Sequence, residues 1–331
     1  MLTAAGEVRL DQRPVPAFGS DQLLVRVDAV GVCGSDAHYL RHGRIGSHVV
    51  TGPIILGHET AGTVVAVGVA TGSHAVGDRV AIEPGVPCGR CELCRSGRYN
   101  LCPDVEFHAT PPFDGTLQEY IAVRADFAFT LPSTVPTEHG ALVEPLAVAV
   151  WACRKARVSP GSRVLVTGAG PVGLLAAQTA RAFGATTVTV TDIDPVKRDL
   201  ALALGADATI DARQLESSAA EFDVHIECSG NGGATRGGIG RLSRGGTAIL
   251  VGMGADGGLD VPVSWIQERE LVITGVFRYA DCFPAAIELL AAGRIRVAEL
   301  ITGRYPLAEA GFAIDTAGRE GVSKTLILPQ V

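Results

Sequence analysis

Residues 163–192 decide the fold of this chain, and they begin Arg163-Val-Leu-Val-Thr-Gly-Ala-Gly-Pro-Val-Gly173. The β-branched residues at the start predict a strand, and the apolar pattern after the glycines predicts a helix. A strand that runs into the spacing G-x-G-x-x-G and then into a helix is typical of the turn that binds a dinucleotide pyrophosphate, because the helix N terminus offers free N–H groups to the anion. The segment closes on a second predicted strand, which ends at Asp192.

Asp192 favours NAD over NADP as the dinucleotide. It lies nineteen residues after Gly173, where a carboxylate accepts hydrogen bonds from the adenosine ribose diol and repels a 2′-phosphate. The nearby basic pair Lys197 and Arg198 weakens this preference for NAD over NADP. The alternative for the whole segment is a Gly-rich turn in an α/β domain that binds no cofactor. The residues expected to bind the cofactor here are Gly168, Gly170, Pro171, Val172, Gly173, Asp192 and Lys197.

The chain outside this segment shows two patterns of predicted secondary structure. From about residue 146 onward, predicted strands alternate with predicted helices, which indicates parallel βαβ units and a doubly wound sheet of the α/β class. Residues 1–145 contain short β-branched runs cut by Gly and Pro and predict a mostly β domain. The tail after Gly275 is too short for a domain, so we expect it to complete the N-terminal one. The crossover 211–223 is only thirteen residues long, near the minimum for a βαβ connection.

The composition excludes several classes of protein. Hydrophobic residues make up 47% and charged residues 19% of the 331, which is too apolar for a disordered chain. The net charge of −7 argues against a nucleic-acid partner, since phosphate binding needs a clustered basic face. The longest apolar run, 146–153, has eight residues, whereas a membrane-spanning helix needs about 20. Residues 1–9 lack the pattern of a secretory signal, so we expect a cytoplasmic protein with no membrane partner.

Four of the eight cysteines fall within fifteen residues and predict a structural metal site. Four thiolates close the tetrahedral shell that zinc prefers and leave no position for a substrate, so we expect no chemistry from this ion. Reversible disulfides between the C-x-x-C pairs are the alternative. The spacing C-x2-C-x2-C-x7-C places on one short loop Cys88, Cys91, Cys94 and Cys102.

A second metal site can be assembled from Cys33, His58, Glu59 and Glu144. A thiolate, an imidazole and a carboxylate with an open fourth position form the pattern of a catalytic zinc, which polarises a carbonyl or acidifies a bound hydroxyl. Adjacent residues in a regular strand point to opposite faces, so His58 and Glu59 share one ion only where the backbone bends. Gly57 permits that bend. Taken singly, each of these residues is more often a packing or surface residue.

Six segments of the chain resemble the zinc-dependent medium-chain dehydrogenases, and among them the sorbitol (polyol) dehydrogenase branch. The resemblance extends over nearly the whole chain, from about residue 25 to residue 328. The segments are Gly31-Val-Cys-Gly-Ser-Asp-Ala-His-Tyr39, Gly43-Arg-Ile-Gly46, Ile55-Leu-Gly-His-Glu59, Ala109-Thr-Pro-Pro112, Val143-Glu-Pro-Leu146 and Gly275-Val-Phe-Arg-Tyr279.

The resemblance implies a discontinuous GroES-like, mostly β catalytic domain and a Rossmann NAD-binding domain. The catalytic domain would cover residues 1–146 and 280–331, and the Rossmann domain residues 147–279. The usual assembly of the family is a homotetramer. Animal sorbitol dehydrogenases lack the full cysteine loop, so this chain is similar to a microbial relative that carries the structural zinc.

The resemblance also implies the ligands of the catalytic zinc. Cys33, His58 and Glu59 would hold the ion, and Glu144 would bind it directly or through water. Alcohol dehydrogenases of the same superfamily have a cysteine where this chain has Glu144, which argues against a simple alcohol as substrate.

Further residues match positions that act in the reaction of the relatives. Ser35 and His38 match the positions that pass a proton to solvent, and Glu144 with a zinc-bound water is the rival base; a turn hydroxyl and a surface histidine are the plain alternatives. An Arg fork flanked by hydroxyls suits vicinal diols, although an interdomain ion pair is the other reading of that arginine. The substrate positions are Tyr39, Phe107, Thr110, Arg278 and Tyr279. The additional cofactor positions are Gly252, Met253, Gly254 and Phe277.

Together these observations predict an enzyme that uses NAD and two zinc ions per chain. It would transfer a hydride from a secondary hydroxyl of a polyol, such as sorbitol or xylitol, and release a ketose. A related zinc dehydrogenase that acts on threonine or an aldose is one alternative. A zinc-free quinone reductase is disfavoured because it needs no metal ligands. A non-catalytic NAD-binding or lens-type structural protein is the third.

Overall fold

The computed structural model describes residues 1–254 and 258–331. Contacts within the chain divide it into two compact units, one formed by residues 1–144 and 297–331 and the other by residues 145–296. The chain therefore leaves the first unit and returns to it near its end. The predicted division, after residues 146 and 279, differs from this one chiefly at the second boundary.

Hydrogen bonds explain why residues 280–296 stay with the second unit. The Gln178 side-chain N–H donates to the carbonyl oxygen of Arg296 at 3.1 Å, and the Arg296 backbone N–H donates to Gln178 Oε1 at 2.8 Å. The Arg154 guanidinium donates to the carbonyl oxygen of Asp281. These bonds fix both ends of the stretch, and the sequence pattern did not reveal them.

Strands supply most of the regular structure of the first unit and the centre of the second. In chain order they are β1 (Leu2–Ala4), β2 (Glu7–Val8), β3 (Gln22–Gly31), β4 (Arg44–Ile45), β5 (His48–Val49), β6 (Glu59–Val67), β7 (Arg79–Ile82), β8 (Gly85–Val86), β9 (Glu106–Phe107), β10 (Tyr120–Arg124), β11 (Ala128–Thr130), β12 (Arg163–Thr167), β13 (Thr187–Asp192), β14 (Ala208–Asp211), β15 (Phe222–Glu227), β16 (Leu242–Leu250), β17 (Val272–Gly275), β18 (Ile301–Pro306) and β19 (Lys324–Leu328).

The helices are mostly short, and several connect consecutive strands of the second unit. In chain order the α-helices are α1 (Gly34–His42), α2 (Glu92–Arg95), α3 (Thr137–Gly140), α4 (Val143–Ala156), α5 (Pro171–Ala182), α6 (Pro195–Ala203), α7 (Gly232–Gly240), α8 (Val263–Arg269), α9 (Phe283–Ala291) and α10 (Ala310–Thr316). Single 3₁₀ turns cover Tyr99–Leu101, Ala125–Phe127, Ala212–Ser217, Ala298–Leu300 and Leu307–Glu309. Within the described residues, no helix combines the length and the apolar character that crossing a bilayer requires.

One seven-stranded sheet joins the two ends of the chain in the first unit. Its order is β11-β7-β6-β3-β19-β18, and β10 also pairs with β3. β3 alternates buried and half-buried residues, as expected for a strand with one face on a core. At the carboxyl end of β3, Gly31 pairs with Glu59 of β6 on one side and with Leu326 of β19 on the other. Three segments far apart in sequence therefore meet at one point.

Six parallel strands form the sheet of the second unit, in the order β14-β13-β12-β15-β16-β17. This is the doubly wound order of dinucleotide-binding domains, with the strand order reversing between β12 and β15. The α/β fold class with a doubly wound parallel sheet is thereby confirmed, and the first unit is mostly β, as predicted. Ligands of such sheets bind beyond the carboxyl ends of the strands at the reversal, which here means the loops after β12 and β15.

The short crossover between β14 and β15 is made by the 3₁₀ turn Ala212–Ser217. Its Leu215 is 1% exposed and packs with Leu165 of β12 and Phe222 of β15. One apolar side chain thus covers the sheet where a longer helix would otherwise lie, which accounts for the brevity of the connection.

We expect Leu215→Ala to lower the free energy of unfolding by about 2–5 kcal/mol, the usual cost of emptying a well-packed site. Leu202→Ala is the matched control, because Leu202 on α6 is 44% exposed and should cost less than about 1 kcal/mol. Urea unfolding followed by circular dichroism measures both variants. Equal losses would mean that Leu215 does not cover the sheet as described.

Candidate active site

Cys33, His58 and Glu59 come together in the first unit, at the point where β3, β6 and β19 meet. One ligand atom from each lies within 4.8 Å of the other two. Cys33 follows β3 and precedes α1, whereas Glu59 opens β6. Gly57 has a φ of +87°, so the predicted bend before His58 is present and lets two adjacent side chains face one point. Thiolate, imidazole and carboxylate are the donors that zinc accepts in open sites.

Asp36, which the sequence analysis did not single out, orients this group. Its carboxylate accepts hydrogen bonds from the backbone N–H groups of Cys33 and Gly57, both at 3.0 Å, and lies 3.9 Å from His58 Nδ1. Burial raises the pKa of Asp36, and the neighbouring His58 partly opposes that effect. An acidic residue three positions after Cys33, in the first turn of α1, was the available signal.

The electrostatics of the site call for a cation. Burial by itself lowers the pKa of His58, but a hydrogen bond to Cys33 and the charges of Cys33, Asp36 and Glu144 outweigh it and raise the pKa to about 10. A donor set this anionic fits a divalent ion, which would take the place of the proton on His58. Glu144 is buried and close enough to contribute its charge, although the group of mutually close ligand atoms consists of the other three.

Lys324 of β19 is a second residue that the sequence analysis missed. Its ammonium donates to both carboxylate oxygens of Glu59 at 2.8 Å and to the carbonyl oxygen of Val32 at 2.9 Å. Burial by itself lowers the pKa of Lys324, and the charges of Glu59 and Cys33 more than offset this and raise it. A lysine at the head of the apolar strand Lys324–Leu328 was the only sequence signal.

The four clustered cysteines form a separate group in the same unit, with all four sulfurs within 4.8 Å of one another. The Sγ atoms of Cys91 and Cys94 are 3.4 Å apart and those of Cys88 and Cys94 are 3.9 Å apart, so these cysteines are free thiols. A zinc tetrahedron with Zn–S bonds of about 2.3 Å has sulfur–sulfur edges of about 3.8 Å, close to these distances. Backbone N–H groups of Arg90 and Cys91 lower the pKa of Cys88 to about 6, which favours the ligating thiolate.

The residues predicted to relay a proton lie on α1. Ser35 is half-buried in the first turn, and His38 is exposed one turn later, where its ring lies tilted against that of His42 with centroids 4.6 Å apart. The helix thus leads from Cys33 toward solvent.

The residues predicted to bind substrate in the first unit differ in their surroundings. The Phe107 ring lies 5.8 Å from the His58 ring, centroid to centroid, so it forms a wall of the site. Thr110 follows Phe107 in a tight turn, because its N–H donates to the carbonyl oxygen of Phe107. Tyr39 is buried in an apolar cluster with Leu2, which favours packing over direct substrate contact.

The predicted cofactor residues of the second unit line a cavity of about 600 Å³ at the reversal of the strand order. Gly168, Gly170 and Lys197 are among its walls. Pro171, Val172 and Gly173 form the first turn of α5, so its free N–H groups begin at the cavity edge. Asp192 also lines the cavity, and its carboxylate accepts hydrogen bonds from the N–H groups of Ala169 at 2.8 Å and of Asp194 at 2.9 Å.

The later cofactor positions lie apart from this cavity. Gly252 and Gly254 line a second cavity of about 210 Å³, and Met253 is largely exposed between them. Phe277 is also exposed, and the Arg278 guanidinium lies over its ring, 4.7 Å from the centroid. Tyr279 is buried against Phe283, with ring centroids 5.6 Å apart, so it supports the segment more than it faces a ligand.

Two family models match the chain. One, described as an alcohol dehydrogenase GroES-like domain, matches residues 19–133, and the other, described as a zinc-binding dehydrogenase, matches residues 171–292.

Several known proteins are similar to the chain over most of its length. Sorbitol dehydrogenase of Bacillus subtilis is 43% identical over 94% of this chain and 90% of its own length. Sorbitol dehydrogenase of Mus musculus is 44% identical over 98% and 93%. Among solved structures, a zinc-binding dehydrogenase from Sinorhizobium meliloti bound to NADP has a TM-score of 0.93 at 34% identity, over 99% and 98% of the two chains.

We expect the two metal sites to be separable. Cys91→Ser should lower the zinc content by one ion per chain and destabilise the fold, because structural zinc binding is coupled to folding. Cys33→Ala should abolish turnover and leave NAD binding intact, because the cofactor cavity belongs to the other unit. Metal analysis and NAD titration measure these effects. A wild-type chain with fewer than two zinc ions would show that one site is wrongly assigned.

Asp192 is expected to set the cofactor preference of the second unit. Asp192→Ala should weaken NAD binding by about 1–3 kcal/mol, the worth of hydrogen bonds to a charged group, and should relieve repulsion of NADP. Asp199→Ala is the matched control, because Asp199 is exposed on the neighbouring helix and the charge change is the same. Equal use of NAD and NADP by the wild type would contradict this assignment.

Proposed function

Because the chain belongs to the zinc-dependent medium-chain dehydrogenases, in their sorbitol dehydrogenase branch, we propose that it oxidises a secondary hydroxyl of a polyol to a ketose with NAD. The observation that carries this proposal is the group of half-buried Cys33 and buried His58 and Glu59 beside the Phe107 ring. Its donors and its negative potential fit a zinc ion that keeps a position open for a hydroxyl. A zinc-free quinone reductase would have no use for such a group.

A zinc ion bound there would supply a Lewis acid that acidifies the substrate hydroxyl, and NAD would accept the hydride from the same carbon. The chain itself orients the ligands, since Asp36 fixes the turns that carry Cys33 and His58. It also provides the route for the proton.

The proton would leave along α1, through the Ser35 hydroxyl and the exposed His38 imidazole. Hydroxyl and imidazole groups can each accept a proton on one side and release one on the other. Glu144 is the rival base, since its buried carboxylate lies close enough to His58 to act on its charge.

Polar groups away from the metal would distinguish long substrates from short ones. We assign this role to Thr110 and to Arg278, because a guanidinium fork suits the vicinal hydroxyls of a polyol. We further propose a homotetramer and a cytoplasmic location, as in the family. Light scattering on the purified protein tests the first, and fractionation of the native cell the second.

The proposal is tested by NAD-linked oxidation of a panel of C4–C6 polyols, threonine, aldoses and short alcohols, with the zinc content measured on the same sample. We expect turnover on polyols in preference to the other classes. Cofactor binding without turnover on any of them would instead favour a non-catalytic NAD-binding protein.

Arg278→Ala is expected to lower kcat/KM for a C5–C6 polyol. The corresponding loss of transition-state stabilisation should be about 1.5–3 kcal/mol, the range for a charge-assisted hydrogen bond. The loss should be much smaller for a short alcohol, which has no distal hydroxyl to bind. Arg294→Ala, an exposed arginine after α9, is the matched control and should change neither value. Equal losses on long and short substrates would show that Arg278 orders the cofactor or the protein and does not read the polyol.

A further inference from the structure

Lys324 and Glu59 form a buried ion pair inside the proposed catalytic metal site. Their side chains are only 3% and 1% exposed. The ammonium donates to both oxygens of Glu59 and to the carbonyl oxygen of Val32. An ammonium has three donors, so each of them finds an acceptor. The hydrogen-bonding capacity of the ammonium is therefore filled within the chain.

The backbone of three strands fixes the position of this pair. Lys324 opens β19, Glu59 opens β6, and Val32 follows the end of β3. At Gly31 a Cβ atom would lie 2.1 Å from Glu59 Oε2, so only glycine leaves room for the carboxylate there. The sheet is thus built around one placement of the Glu59 side chain.

A buried carboxylate without a partner strongly destabilises a fold, and sites made of anionic ligands are therefore usually coupled to metal binding. Lys324 supplies a compensating charge from within the chain. A carboxylate has about four lone-pair positions, so Glu59 can accept from Lys324 and still offer an oxygen to a metal ion. The thiols of the four-cysteine loop, in contrast, accept hydrogen bonds from backbone N–H groups and contact one another.

We propose that Lys324 is a positioning residue, an internal counter-ion that holds Glu59 in its ligating place and keeps the first unit folded before the catalytic metal is loaded. This inference rests on the proposed ligand set of Cys33, His58 and Glu59. In the loaded protein Lys324 and the metal share the carboxylate. Without the metal, Lys324 still compensates the charge of Glu59.

The test compares the unfolding temperatures of the wild type and of Lys324→Met, each loaded with zinc and stripped of it by a chelator. The stripped variant should unfold about 10 °C below the stripped wild type, because a buried charge is left unpaired. The loaded variant should lose less than half as much, since the metal then pairs Glu59. Lys324→Arg, which keeps the charge, should recover most of the loss. The chelator also removes zinc from the four-cysteine loop, but it does so equally in the wild type and in Lys324→Met.

A double-mutant cycle assigns the effect to the ion pair. In a Glu59→Gln background, Lys324→Met should change the stripped unfolding temperature little, because no carboxylate is left to pair. If Lys324→Met does not fold, recovery of folding in the double variant supports the proposal, and failure of the double variant overturns it. Equal losses in the loaded and stripped states, or an undiminished loss in the Glu59→Gln background, would also overturn it. Failure of the ligand set itself shows separately, as a wild type that holds zinc only in the cysteine loop.

Discussion

Burial of acidic groups is the constraint on which the first unit depends. Asp36, Glu59 and Glu144 are all buried, although an ionised carboxylate is stable there only with hydrogen bonds or a cation. Backbone N–H groups of two separate turns compensate Asp36, and an ammonium compensates Glu59. These partners come from the end of β3, the approach to β6 and the start of β19. The same contacts therefore compensate the buried charges and hold these strands of the sheet together.

The second unit holds the half-buried carboxylate of Asp192 with backbone groups. The carboxylate of Asp192 is held by the N–H groups of Ala169, inside the glycine turn, and of Asp194, at the start of α6. The acid is consequently fixed between the two loops that line the cavity before any ligand arrives. Such preorganisation lowers the ordering cost of binding. In both units, therefore, hydrogen bonds from the loops beside the site fix the position of a carboxylate.

The sequence predicted the parts of the structure that local chemistry determines. The strand Arg163–Thr167, the glycine turn and the cysteine spacing carry their own signals, and the doubly wound class follows from their alternation. α7 gives no such signal, because its five glycines have poor helix propensity, and it is held by a cap from Asn231 and by packing. The pairing of Lys324 with Glu59 spans 265 positions and depends on sheet register, which no local pattern encodes. Residue types and the glycine before His58 suggested Cys33, His58 and Glu59 as one metal site, and the resemblance to a family then supported that grouping.

The place of β19 in the sequence has a consequence for biosynthesis. Lys324 lies 292 positions after Val32, and the carboxyl end of β3, Val30 and Gly31, pairs with β19 only once Lys324–Leu328 has been made. The Rossmann sheet has all six of its strands by residue 275 and can order while translation continues. The metal-binding unit is complete only after Lys324–Leu328 has been made. A ribosome that stalls between residues 297 and 323 would hold a chain with a complete nucleotide-binding unit and an incomplete metal site, in which the carboxyl end of β3 is an unpaired edge.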